Sequence, residues 1–312
     1  MAIGDISELT RSLESSDVAT RQLALTELGD ALDESALQPL LVAMSDPDPT
    51  VRELALELLD ELGDARALPA IVEALADESE RVREVAAGAV RDSRSPELVA
   101  LLLERLSHPL AEVRVASIAG LREHRAAHAE GPLIERLSDA SAEVRAAAVV
   151  ALGHLRSVTS VAPLIERLRD DEPTVRRLAV GALHFARTED VRLSLVALLA
   201  DPDWRVRADA IKQLSKHGDR QSAAALARLI SDPEWQVRKE AAQALGESGS
   251  RAHAAELLPL LADPTADVRR AAVSALATLE ARFAVEKIRA LLSDPDSEVN
   301  KATRRALATL DR

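Results

Sequence analysis

Arginine and aspartate stand in two registered rows along this chain. Arginine recurs every 31 residues at Arg21, Arg52, Arg83, Arg114, Arg145, Arg176, Arg207, Arg238 and Arg269, with Asn300 at the next step. Aspartate keeps the same period at Asp46, Asp77, Asp139, Asp170, Asp201, Asp232, Asp263 and Asp294. A guanidinium presents a planar fork of donors that matches a carboxylate. Because both rows repeat equally well, the pairing reads as a structural ladder between adjacent units, not as a row of reactive groups. Acidic residues that cap helix starts also fill those ends, which makes them poor phosphate sites.

Residues that break the repeat are the better candidates for function. Trp204 and Trp235 stand three residues before the arginine in successive repeats, and they are two of only four aromatic side chains. In the same two repeats Asp209 and Glu240 replace an apolar or small residue, close to Lys212 and Lys239. His124 and His128 have a spacing that can hold a metal on a helix, but Arg125 between them and a loop-like context argue against it. His154 and His184 fall at helix ends, where a partly charged imidazole suits the dipole. No nucleophile elbow, phosphate-cradling glycine loop or paired-acid motif is present. With no cysteine, thiolate chemistry, disulfides and Cys-type zinc sites are excluded. No catalytic, cofactor-binding or metal residue is assigned.

A fixed 31-residue period predicts stacked helical hairpins, each burying its apolar face against its neighbours. In each unit a first helix, A, is ended by an Asp-Pro type turn, since proline cannot continue the hydrogen-bond ladder. A second helix, B, starts after a capping aspartate such as Asp48 or Asp203, with Pro49 or Pro173 in its first turn. Its apolar stripe runs through Val51, Ala55, Leu56 and Leu59 in one unit and Val175, Ala179, Val180 and Leu183 in another. Glycine is expected to stop it, at Gly29, Gly153 and Gly246 or nearby at Gly63, Gly218 and Gly249. The fold class is all-α, an α-solenoid of about ten repeats forming one domain over residues 1–312. Residues 1–30 make a short N-terminal cap. Residues 282–312 make a polar C-terminal one, where Arg304 and Arg305 stand in place of an apolar residue, such as Val180, Ile211 or Val273, and its small or polar neighbour.

The net charge of −13 argues against whole-surface binding to nucleic acid or anionic lipid. Residues 1–80 hold 19 Asp/Glu against 4 Arg, whereas the rest of the chain is nearly balanced, and all five lysines lie in the last third. Neither a signal peptide nor a membrane-length apolar run is apparent, so a cytoplasmic location is expected.

The frame Asp-Pro-x-x-x-Val-Arg-x-x-Ala-x-x-Ala-Leu-Gly, copied closely from Asp232 to Gly246, resembles the HEAT-like repeat of the phycobilisome-lyase type over about residues 5–312. That resemblance implies a helical stack whose B helices line a concave face. Its known users include bilin lyase subunits, DNA glycosylases, a di-iron hydroxylase and scaffolds without chemistry. The di-iron type needs His-Glu dipeptides, which are absent here. The glycosylase type needs a basic concave track, which the acidic N-terminal end opposes.

On the placement the resemblance implies, the residues one, five and eight after the arginine face the groove. They begin acidic (Glu53, Glu57, Asp60, Glu84). They turn small and apolar at Val115, Ala119, Ala146, Val150, Gly153 and Gly181, and then basic at Arg177, Lys212, Lys239, Arg270, Lys301 and Arg305. The candidate partner-binding set is therefore Val115, Val150, His154, Arg177, His184, Trp204, Asp209, Lys212, Trp235, Lys239, Glu240 and Arg270. The expected function is a non-enzymatic, monomeric scaffold, adaptor or assembly factor holding a protein or peptide in that groove. The alternatives are a bilin lyase-like subunit acting on a chromophore-bearing protein and a designed, consensus-like array.

Overall fold

The computed structural model describes residues 6–216 and 222–311, and it contains helices and 3-10 turns with no strand among those residues. The expected break at Gly218 lies outside the described residues. The chain divides into two compact units, Met1–Leu155 and Arg156–Arg312. The first carries the helix pairs α1 (Ile6–Ser12) and α2 (Val18–Gly29), α3 (Leu37–Ala43) and α4 (Pro49–Leu62), α5 (Leu68–Glu73) and α6 (Glu80–Asp92), α7 (Glu97–Arg105) and α8 (Ala111–Glu123), and α9 (Glu130–Arg136) and α10 (Ala142–Leu155). The second carries α11 (Val161–Arg167) and α12 (Pro173–Ala182), α13 (Glu189–Ala197) and α14 (Trp204–Lys216), and α15 (Ala223–Ala227) and α16 (Trp235–Ser248). It continues with a 3-10 segment (Ala255–Ala262) leading to α17 (Ala266–Thr278), and ends with α18 (Val285–Arg289) and α19 (Ser297–Leu310).

Within each unit the B helices stack in sequence: α2, α4, α6, α8 and α10 in the first, and α12, α14, α16, α17 and α19 in the second. The stack is held by a periodic core. The valine before the repeated arginine, from Val51 to Val268, is buried, as are Val299 before Asn300 and Leu59, Leu121, Leu152, Leu214, Leu245 and Leu276 seven residues after the arginine. Burial of such side chains is worth about 1.5–3 kcal/mol each.

Helix starts follow the sequence signals. Asp48 accepts the Thr50 and Val51 N–H groups at 2.9 and 3.2 Å, and Pro49 opens α4. Pro173 opens α12 in the same way. Helix ends follow them only in part. Gly63 and Gly249 adopt φ 65° and terminate α4 and α16, as a left-handed glycine does. Gly29 is the last residue of α2, while Gly153 and Gly246 lie inside α10 and α16 and do not stop them. At Gly246 the reason is packing: a Cβ there would lie 2.9 Å from both Cα and Cβ of Ala275 on α17. The first helix of the ninth repeat is 3-10 throughout, with Pro259, which has no N–H to give to an i−4 carbonyl, in its interior.

Candidate functional site

The arginine row is a clamp. Arg52 donates through Nε and Nη2 to the two carboxylate oxygens of Asp77, at 2.8 and 2.7 Å, and through Nη1 to the Asp46 carbonyl at 2.8 Å. Each such aspartate also accepts the N–H two residues on, as Asp77 does from Ser79. The same bidentate pairing joins Arg21 to Asp46, Arg114 to Asp139, Arg176 to Asp201, Arg207 to Asp232, Arg238 to Asp263 and Arg269 to Asp294. Burial pushes the Asp46 and Asp77 carboxyls up. The arginine and backbone hydrogen bonds, together with the nearby guanidinium charges, outweigh it and hold both below the usual carboxylate range. Asn300 closes the row on its own repeat, donating to the Asp294 and Asp296 carbonyls at 2.6 and 3.0 Å.

In the first unit the candidate residues sit on helices and differ in access. Val115 on α8 and Val150 on α10 are half-buried, and His154 near the end of α10 is exposed. The His154 Nδ1–H donates to the Val150 carbonyl at 2.9 Å, which leaves Nε2 to solvent. Glu57, Asp60 and Glu84 are exposed, as an acidic face requires. Two residues assigned to the groove are not available to a partner. Glu53 is only 6% exposed and is covered by Arg81, and Gly153 is buried. Although Asp60 reaches solvent, partial desolvation by its neighbours, reinforced by Asp92, pushes its carboxyl up.

In the second unit Trp204 and Trp235 are the first residues of α14 and α16, which pack on one another. Both are half-buried, and each carries a cation: the Arg205 guanidinium lies 5.0 Å from the Trp204 ring centre and the Lys239 ammonium 5.9 Å from that of Trp235. Asp209 and Glu240 are committed to ion pairs. Asp209 meets Arg177 at 2.8 Å, not the nearby Lys212, while Glu240 lies 3.3 Å from Lys239 and 3.8 Å from Lys212. His184 falls in a 3-10 turn after α12, exposed, its Nδ1–H donating to the Gly181 carbonyl at 3.0 Å and its ring edge-on to Phe185. Arg270 pairs with Asp267 and borders a depression of about 460 Å³. Glu298, Lys301, Arg305, Gln243, Ser274 and Thr309 complete its polar lining. Sequence reading passed over Asp267 and Glu298, although their spacing of three from Arg270 and Lys301 on one helix is the signal for such pairs.

No group of three or more metal-ligating side chains occurs among the described residues. His124 caps the end of α8 and His128 lies in the following 3-10 turn, so they do not share one helix face. Desolvation lowers the His124 value, aided by Arg94, which favours the neutral ring. No described helix is long and apolar enough to cross a membrane. These surfaces offer ion pairs, aromatic rims and shallow polar depressions.

The model of the family described as HEAT repeats matches residues 6–91, 99–184, 192–277 and 254–312. The chain belongs to that family. None of the curated proteins matches it in sequence. Among solved structures, the crystal structure of an engineered protein superposes with a TM-score of 0.57 at 21% identity, covering 99% of both chains. The X-ray structure of YIBA_ECOLI gives a TM-score of 0.55 at 18% identity over 96% of this chain and 99% of that one. A structure in which Kap95p binding induces the switch loops of RanGDP to adopt the GTP-bound conformation gives 0.68 at 15% identity, over 98% of this chain and 49% of the other. These likenesses share the all-α solenoid fold.

Proposed function

We propose that the chain is a non-enzymatic protein-binding scaffold that holds a protein or peptide segment against the solvent-facing side of its B helices. The observation that carries this reading is the contrast between constant and variable positions. Clamp and core residues recur in repeat after repeat, whereas the B-helix positions open to solvent change, with exposed Glu57 and Asp60 and half-buried Val115 and Val150 in the first unit and exposed Lys212, Gln243 and Arg305 in the second. A surface that varies on a constant frame is suited to recognition, since half-buried aromatic anchors and ordered charges fix the register of a bound chain. Kap95p, similar in fold, engages RanGDP, which supports a protein partner.

The test is affinity capture with the full chain beside two double variants, Trp204→Ala with Trp235→Ala and Val150→Glu with Lys239→Glu. Loss of the same partner in both, with helical content unchanged by circular dichroism, is the expected result. Equal capture by all three proteins sinks the reading. The repeat frame from Asp232 to Gly246 supports a second reading, a bilin lyase-like subunit. It predicts a visible spectral shift when the chain is mixed with a linear tetrapyrrole, with or without an acceptor protein.

A further inference from the structure

One step of the arginine clamp lacks its carboxylate. Arg83 is set in the frame its counterparts use, with Nη1 donating to the Asp77 and Glu78 carbonyls at 2.8 and 3.0 Å. The residue 25 positions on, aspartate in the seven clamps described above, is His108. Its backbone keeps the register, because the Arg114 Nη1 donates to the His108 carbonyl at 2.8 Å, as the Arg52 Nη1 does to that of Asp46. Its ring takes over half of the aspartate's task, with Nδ1 accepting the Leu110 N–H at 3.2 Å. An accepting Nδ1 places the ring proton on Nε2, so His108 offers a donor where other repeats offer two anionic oxygens. The Arg83 Nε and Nη2 groups donate to none of the described residues, and the side chain is half-buried, within reach of solvent.

We propose that Arg83 and His108 form a binding site for an exogenous carboxylate, which completes the clamp by accepting from Arg83 Nε and Nη2. The fork is pre-organised, since its third nitrogen is already fixed by two carbonyls, so little side-chain freedom is lost on binding. Two coplanar oxygens fit it, as they do in the seven clamps that hold an aspartate. The acidity of the surrounding unit opposes any anion and keeps the affinity low. The site lies at the turn between α7 and α8 and is independent of the B-helix face assigned to a protein partner.

The experiment follows the arginine Nε–H signals of the full chain by two-dimensional NMR while sodium acetate replaces sodium chloride at constant ionic strength. The Arg83 signal is identified by its loss in Arg83→Lys. The expected result is a saturable movement of that signal and a rise in melting temperature, both abolished in His108→Asp. That variant installs the carboxylate the other repeats use and melts higher than the parent without acetate. Absence of a saturable response in the parent, or an equal response in His108→Asp, overturns the proposal. Repeating the titration with acetyl-aspartyl amide separates the sources: entry of the capped residue assigns the site to side chains of a bound polypeptide, and entry of acetate alone assigns it to small free carboxylates.

Discussion

Arg207 is 9% exposed, and its guanidinium binds the Asp232 carboxylate and the Asp201 carbonyl together, tying two repeats through one side chain. Arg207→Ala strands a mostly buried carboxylate and should cost about 3 kcal/mol in urea unfolding. Arg207→Met combined with Asp232→Leu removes both charges and should recover much of that loss, because no ion is left unpaired. The clamps also set an acid limit. The Asp46, Asp77, Asp139 and Asp263 carboxyls are pushed up by burial and held below their ordinary value of 3.8 by their arginines, and Asp294 is lowered chiefly by Arg269. A carboxyl whose folded value is depressed binds fewer protons folded than unfolded, so its contribution is intact above 3.8 and drains away as pH falls below it. The clamp contribution to melting temperature should therefore hold level down to that point and then fall steeply, as a pH series of thermal melts would record in its acid limb.

Helix starts were legible in the sequence because proline and a capping aspartate have one local meaning each. Helix ends were less so, because glycine has two. Gly63 and Gly249 supply a left-handed backbone, while Gly246 supplies close approach to α17, and only the neighbouring helix tells them apart. Gly246→Ala should cost about 1–3 kcal/mol, since the atoms it meets belong to the backbone and Cβ of Ala275 and cannot swing aside. Gly181 on α12 faces open space, so Gly181→Ala should stabilise by up to about 1 kcal/mol through helix propensity alone. Paired thermal melts check both signs. At the candidate site the sequence located the unusual residues but not every partner. Asp209 meets Arg177, 32 residues earlier, because in a stack the neighbour one repeat away is closer than it looks along the chain. Glu53 was misplaced for a related reason: Arg81, from the next repeat, covers it.

Charge divides along the same line as the fold. Residues 1–155 hold 29 acidic and 14 basic side chains, and residues 156–312 hold 23 and 25, so the first unit carries the whole excess of negative charge. Self-repulsion within it is screened by salt. Raising sodium chloride from about 0.05 to about 0.5 M should slow hydrogen exchange in residues 1–155 more than in 156–312, read by mass spectrometry of peptic fragments. The clamps have a consequence for synthesis as well. Each one closes between residues 25 apart, and the B helices of a unit stack in chain order. Contacts this local keep the loop-closure cost of every step small. A repeat emerging from the ribosome can lock onto the one before it as soon as its aspartate clears the exit, so the molecule can be built in the order it is translated.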